Sequence, residues 1–389
     1  MIDFKKEALE IKDEVVANRR YLHRNAEGGF DLPNTLAFVS EKLKEMGLEP
    51  QKCGRAGLTV TIGSGDKCVL LRGDMDALPM KETSDVPFAS KTGFTHSCGH
   101  DCHASMLLGA AKILKAHEKE LGGKVKFMFQ PAEELLQGAL DMIDRGLLEN
   151  PHVDAAFGIH TLSGSAGSTV GRMFYSSGPA LYSGDAIDIE VFGKQCHGSR
   201  SCEGVDAINI AAHIVIALEE IIAREIPSDQ SSVVLVGKIT GGDSCNTTPG
   251  YAKLEVSVRA QTEENREFLI KRITEISEGV AATYRGKAVV KHVYGIAPLV
   301  CDPAIAAIGA KAAEEIGMEP VLRPIQGGTE DFTAVAAKVP AVMMNVGSGS
   351  IEEGYIHGHH NPSFKVDEDV LPLGVALYCQ CAYDYLNNK

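Results

Sequence analysis

Apolar residues follow two rhythms along this chain, and the change between them constrains the fold more than any other feature. Up to about residue 180, the runs CVLL (68–71), VKFMF (125–129, broken by one Lys) and DAAFGIH (154–160) are almost continuously apolar, as strands covered on both faces must be. Between them Ala104, Leu107, Leu108, Ala111 and Leu114 recur at helical spacing, with Ile113 widening the stripe. Strand, helix, strand is the grammar of an α/β sheet. Beyond Gly184 the period drops to two. Ile187, Ile189 and Val191 alternate with Asp188 and Glu190, and Leu254, Val256 and Val258 alternate with Lys253, Glu255 and Ser257, so these strands bury one face only. Two helical stripes accompany them: Ala207, Ile210, Ala211, Ile214, Leu218 and Ile221 in one, residues 268–281 in the other. The pattern predicts a small antiparallel sheet with two helices on one side over residues 184–296. From about 297, helix (302–316), apolar strand (339–345) and closing helix (369–386) resume the first pattern. One domain over 1–183 and 297–389, interrupted by an inserted domain over 184–296, is therefore expected.

A chain of 389 residues exceeds what one core usually serves, and its balance of 44% apolar to 23% charged residues is that of a packed globular protein. The formal charge of −14 argues against a nucleic-acid or anionic-membrane partner, because phosphate contacts need clustered Lys and Arg. A small-molecule substrate fits better. The opening MIDFKKEALEIKDEVVANRRYLHRN is charged and amphipathic, no later segment reaches 18 uninterrupted apolar residues, and the ten cysteines lack a regular spacing. A cytoplasmic protein with reduced thiols is expected.

One stretch, HSCGHDCH (96–103), concentrates three histidines, two cysteines and an aspartate in eight positions. Cys98 and His100 flank Gly99 just before the helix that begins near Ala104; thiolate and imidazole suit zinc and similar divalent ions, and a glycine turn lets both point at one place. A structural zinc knuckle would need a second close Cys or His pair, and none is present. Acidic and histidine groups follow two apolar strands instead. FQPAEE (129–134) puts Glu133 and Glu134 after one, and GIH (158–160) puts His160 after another, at the edge where sites form in open α/β sheets. Taken singly, a Glu pair often means only a solvated helix start and a strand-end His is more often structural; their joint placement favours a site. YIHGHHNPSF (355–364) supplies His357, His359 and His360, and spacing alone does not say which of them joins it.

In chain order, LRGDMDALPM, HSCGHDCH, FQPAEE, GIH, SGPALYSGD, CHGS, a GG pair followed by Asn246, GGTEDF and HHNPSF resemble the metal-dependent amidohydrolases that split N-acyl amino acids. That group contains aminoacylases, hippurate hydrolases and plant indole-acetyl amino acid hydrolases, within branch D of peptidase family M20. The resemblance implies an α/β, dimetal exopeptidase-like catalytic domain with an inserted α+β, ferredoxin-like lid and dimerisation domain. It implies two divalent metal ions per subunit, zinc or manganese before cobalt or nickel, held by Cys98, His100, Glu134, His160 and His360. Glu133 is then the general base, and His197 of CHGS, contributed across a homodimer, stabilises the oxyanion. Asn246, Arg259, Gly328 and Thr329 are the implied substrate-binding residues, Arg259 for a carboxylate. Asp74, Asp76 and Asp101 would orient ligands, Asp101 being equally placed to cap the helix.

His96 and His103 match the family pattern but stay outside the ligand set, and His357 and His359 receive no role. Three departures stand out: Asp74-Met75-Asp76 where peptidase-like relatives carry His-x-Asp, Asn246-Thr-Thr-Pro-Gly250 where Asn-Val-Ile-Pro-Asp is common, and His359 where an apolar residue is usual. The activity implied is hydrolysis of an N-acyl amino acid to a carboxylic acid and a free amino acid. The alternatives are a dipeptidase or carboxypeptidase of the same superfamily and a non-catalytic metal-binding relative.

Overall fold

The computed structural model describes residues 2–387, and the chain divides into two compact units. The first is built on an eight-stranded sheet in the order Gln51–Cys53, Gly57–Gly63, Lys124–Gln130, Cys68–Asp74, Ala155–Leu162, Ala341–Gly347, Arg172–Tyr175, Glu319–Leu322. Its four central strands, from Lys124–Gln130 to Ala341–Gly347, run parallel. Every residue of Cys68–Asp74 is buried, as a two-sided core strand requires. The parallel register pairs Asp74 with Gln130 and Asn345 with His160. The carboxyl ends of these strands thus deliver Asp74, the segment after Gln130, and His160 to one edge.

The helix His100–Ala116 starts at that edge. Its N-cap is Gly99 at φ +87, with no side-chain cap, so the capping role open to Asp101 is not used. Asp101 instead accepts from Arg19 Nε at 2.8 Å and lies 2.8 Å from His23 Nδ1. Elsewhere the expected elements shift by small amounts. The strand expected from Val339 starts at Ala341, because Pro340 has no N–H for the ladder, and the helices run Pro303–Glu315 and Val370–Leu386.

The second unit comprises Leu181–Leu299 and Ile325–Thr329. Its four-stranded sheet, in the order Ser232–Gly241, Tyr251–Ala260, Gly184–Phe192, Lys287–Ile296, is antiparallel throughout. Ile187, Ile189, Val191, Leu254, Val256 and Val258 face inward against Ile210, Ile214 and Leu218 of the helix Ala207–Glu220 and Leu269 and Ile273 of Glu263–Thr283. The period-two and helical stripes of the sequence are this core. Ile325–Thr329, expected with the first domain, groups here because Gln326 bridges Leu181.

Candidate metal centre

The loop after Cys68–Asp74 carries Asp76, which organises two neighbouring segments at once. Its carboxylate accepts the backbone N–H of Glu133 at 3.0 Å and of Glu134 at 3.3 Å, while its backbone carbonyl takes the Nδ1–H of His100 at 2.8 Å. A carbonyl can only accept, so His100 carries its proton on Nδ1 and turns a lone pair on Nε2 inward. His160 is wired alike: Nδ1 lies 2.6 Å from the Thr161 carbonyl and Nε2 is 3.4 Å from Cys98 Sγ. His360 reaches the same place through a left-handed backbone, φ +61, with its N–H on the Ser97 carbonyl at 2.9 Å. Its Nε2 is 3.4 Å from Glu134 Oε2.

These groups converge. Ligating atoms of Cys98, His100 and His160 lie within 4.8 Å of one another, as do those of Cys98, Glu134 and His360, and those of His100, Glu133 and Glu134. Cys98 is common to two of the groups. His100 Nε2 and Glu134 Oε1 are buried without a hydrogen-bond partner, a costly arrangement unless a cation completes it. Electrostatics point the same way. Burial first, then Glu330 and Asp331, pushes Glu133 well above the ordinary carboxylate range. Burial, opposed by His100 but joined by Asp76 and Asp74, takes Glu134 to about 7. Burial also pushes the Cys98 thiol up. Charged ligands here need neighbouring positive charge, and a donor set of one thiolate, imidazoles and a carboxylate suits a pair of divalent cations.

A second layer was only partly visible in the sequence. Arg72, fully buried in a strand, donates through Nε to Gln130 Oε1 at 2.8 Å and through Nη2 to Glu330 Oε1 at 2.6 Å, with Nη1 2.8 Å from Asp74 Oδ2. Burial opposes the Asp74 charge, yet Arg72, then His100 and His103, hold that carboxyl well below its usual range. Gln130 Nε2 in turn donates to Asp331 Oδ1 at 2.5 Å. Glu133, Glu330 and Asp331 thus form a buried acidic group around one guanidinium. The signal for it was Arg72 inside the apolar run LLRGD, since a charge there must have buried partners. His96 stands apart from the ligand groups, neutral in a buried setting that takes its pKa to about 3.

The remaining candidates lie in the second unit. His197 is exposed in the short strand Cys196–His197, paired with Thr247, its Nδ1 accepting from the Ser199 N–H at 3.2 Å, and the Gly198 N–H reaches the Asn246 carbonyl at 2.8 Å. A Cβ at Gly184 would lie 2.8 Å from Arg259 Nη1 and 2.7 Å from Thr329 Cγ2, so this glycine lets the guanidinium and Thr329 close over the same spot. Gly328 lies beside Leu181.

The model of peptidase family M20/M25/M40 matches residues 70–384. Thermostable carboxypeptidase 2 of Saccharolobus solfataricus is 34% identical over 98% of both chains. N-acetyl-L-cysteine deacetylase of Bacillus subtilis is 33% identical over 93% of this chain and 85% of its own. IAA-amino acid hydrolase ILR1-like 2 of Arabidopsis thaliana is 33% identical over 100% of this chain and 89% of its own. Among solved structures, the Bacillus subtilis YXEP protein, described as a dinuclear metal binding peptidase, superposes with a TM-score of 0.84 at 28% identity, covering 98% of this chain and 99% of that one. With about four fifths of its length matched by one family model and whole-chain relatives above 30% identity, the protein belongs to peptidase family M20/M25/M40.

Proposed function

We propose that this enzyme is a metal-dependent amidohydrolase that cleaves N-acyl amino acids into a carboxylic acid and a free amino acid. The observation that carries the reading is the convergence of overlapping donor groups sharing Cys98, with Glu133 alongside them. Cys98, His100, Glu134, His160 and His360 hold two divalent ions. When bound, such ions polarise the scissile carbonyl and make water acidic enough to lose a proton near neutral pH. Glu133 accepts that proton as the water oxygen adds to the carbonyl carbon, and delivers it to the amide nitrogen as the C–N bond breaks. The backbone N–H groups of Glu133 and Glu134 are both held by Asp76, which fixes the segment that carries the base and the adjacent ligand. Asp76 orients His100 and the Glu133–Glu134 segment, Asp74 acts through His103, and Asp101, held by Arg19 and His23, steadies the first turn of the helix that carries His100. Arg259 takes the substrate carboxylate, Asn246, Gly328 and Thr329 supply further contacts, and His197 stabilises the oxyanion in a homodimer.

A thiolate among the donors favours zinc, and the carboxylates admit manganese, with cobalt or nickel next. The ten cysteines are free, which supports a cytoplasmic setting; among the described residues, no helix is long and apolar enough to cross a membrane. The carboxypeptidase relative makes peptide cleavage the second reading. A panel of N-acetyl, hippurate-like and aryl-acetyl amino acids beside dipeptides and N-blocked peptides separates the two. The catalytic assignment is tested by Glu133→Gln. A positioned general base contributes about 10² to 10⁴ in rate, so kcat should fall by that factor with metal content unchanged; equal turnover by variant and wild type would overturn it.

A further inference from the structure

Distance alone also groups Asp74, His100 and His103, whose ligating atoms fall within the same 4.8 Å limit. Hydrogen-bond wiring separates His103 from the others. Its Nε2 receives the backbone N–H of Thr161 at 2.8 Å, with Thr161 Oγ1 at 3.1 Å. A backbone amide can only donate, so this nitrogen is the unprotonated one and its lone pair is engaged. The proton therefore sits on Nδ1, 2.6 Å from Asp74 Oδ1, and the other oxygen of Asp74 faces Arg72. His100 and His160 carry the same tautomer, with Nδ1–H on a carbonyl, but their Nε2 lone pairs are directed at the donor cluster instead of at a backbone N–H.

What His103 holds is informative. Thr161 follows His160 directly, and its carbonyl receives the His160 Nδ1–H. His103 thus grips the N–H of the residue whose C=O sets the His160 ring, and the two imidazoles lie 4.4 Å apart between centroids. Gly99, between Cys98 and His100, approaches the same point: a Cβ there would meet Thr161 Oγ1 at 2.2 Å. The Cys98–His100 turn, the Asp74 strand and the His160 strand therefore all meet at His103.

We infer that His103 is a positioning residue for the ligand His160, fixed with its proton on Nδ1 and closed to metal. The inference rests on the dimetal reading for the word ligand, but the tautomer can be read without any metal. Long-range ¹H–¹⁵N spectra of protein labelled with ¹⁵N-histidine, with His103 identified by the signal lost in His103→Asn, report which nitrogen carries the proton. Protonated Nδ1 and bare Nε2, unchanged on titration with zinc, are expected. A protonated Nε2, or an Nε2 signal that moves to the metal-coordinated range on loading, overturns the inference even if no variant folds.

His103→Asn keeps an amide donor towards Asp74 and removes the acceptor for Thr161. Loss of a group that orients a ligand weakens metal binding by about 10- to 100-fold, so the weaker zinc equivalent should dissociate more readily by that factor while saturation still takes two. Saturation at one equivalent, or an unchanged affinity accompanied only by a lower melting temperature, refutes the positioning role. Should wild-type protein itself take up no stoichiometric zinc, the dimetal reading falls, and the tautomer assignment still stands or fails on the metal-free spectrum.

Discussion

Replacing Gly99 by Ala tests the geometry of the metal turn most directly, because its cost separates into two parts. The first is conformational: at φ +87 a residue with a Cβ lies in the left-handed region, which costs about 1–2 kcal/mol. The second is steric. The new Cβ would sit 2.2 Å from Thr161 Oγ1, roughly 1 Å inside van der Waals contact, and overpacking of that kind costs about 1–3 kcal/mol. Together these give about 2–5 kcal/mol, which, if borne by the loaded turn that holds Cys98 and His100, weakens metal binding about 30- to 5,000-fold. The second part is removable. In Gly99→Ala/Thr161→Ala the clashing oxygen is gone and the backbone N–H to His103 remains, so about 1–3 kcal/mol, roughly 5- to 150-fold in affinity, should return. Thr161→Ser keeps the oxygen and should rescue nothing. Competition titration with a chromogenic chelator gives the affinities, and thermal denaturation of the metal-free proteins gives any share that falls on folding. Wild-type affinity and melting in Gly99→Ala, or equal behaviour of the Ala and Ser double variants, would refute this account of the turn.

The other predictions concern groups around the same edge. Asp76→Asn turns one carboxylate acceptor into an NH₂ facing a backbone N–H, leaving a buried donor unpaired at about 1–3 kcal/mol; kcat should fall about 10- to 100-fold with KM little changed. Cys98→Ala removes the donor common to two ligand groups, so metal analysis should find both equivalents weakened, and chelator-treated wild type should recover activity on adding a divalent ion where this variant does not. His23 provides the pH test. Burial opposes its charge, but Asp101 at 2.8 Å and Glu82 at 3.0 Å raise its pKa above the ordinary value. The stabilisation should thus be complete below about pH 6.5, the ordinary histidine value, and fade as pH rises through the raised one. The stability difference between wild type and His23→Gln, measured by denaturant titration from acid to mildly alkaline pH, should shrink with rising pH; a difference that grows would invert the assignment.

How far the sequence disclosed this molecule depended on whether the partners were local or distant. Ile187, Ile189 and Val191 revealed their strand and its buried face because alternation is a property of the strand itself, and the α/β sheet was readable from Cys68–Leu71 for the same reason. The donor residues were readable because Cys98 and His100 share a turn and Glu133 and Glu134 share a loop. Arg72 was not interpretable in this way: its partner Glu330 lies 258 positions along the chain, and no local pattern announces such a pairing. Asp101 was open to two readings, orienting a ligand or capping the helix, and the structure removes the second. A carboxylate in the first helical turn reads as a cap, yet Arg19 and His23, distant in sequence, claim it. His103 is the sharpest case, because its residue type and spacing match a ligand as well as those of His100 do. Both carry the proton on Nδ1; what divides them is whether Nε2 already accepts an N–H, as in His103, or has no hydrogen-bond partner, as in His100. That choice is made by strands more than 20 residues away, so a motif can assemble the candidates for a metal site while the backbone decides which of them still has a lone pair to give.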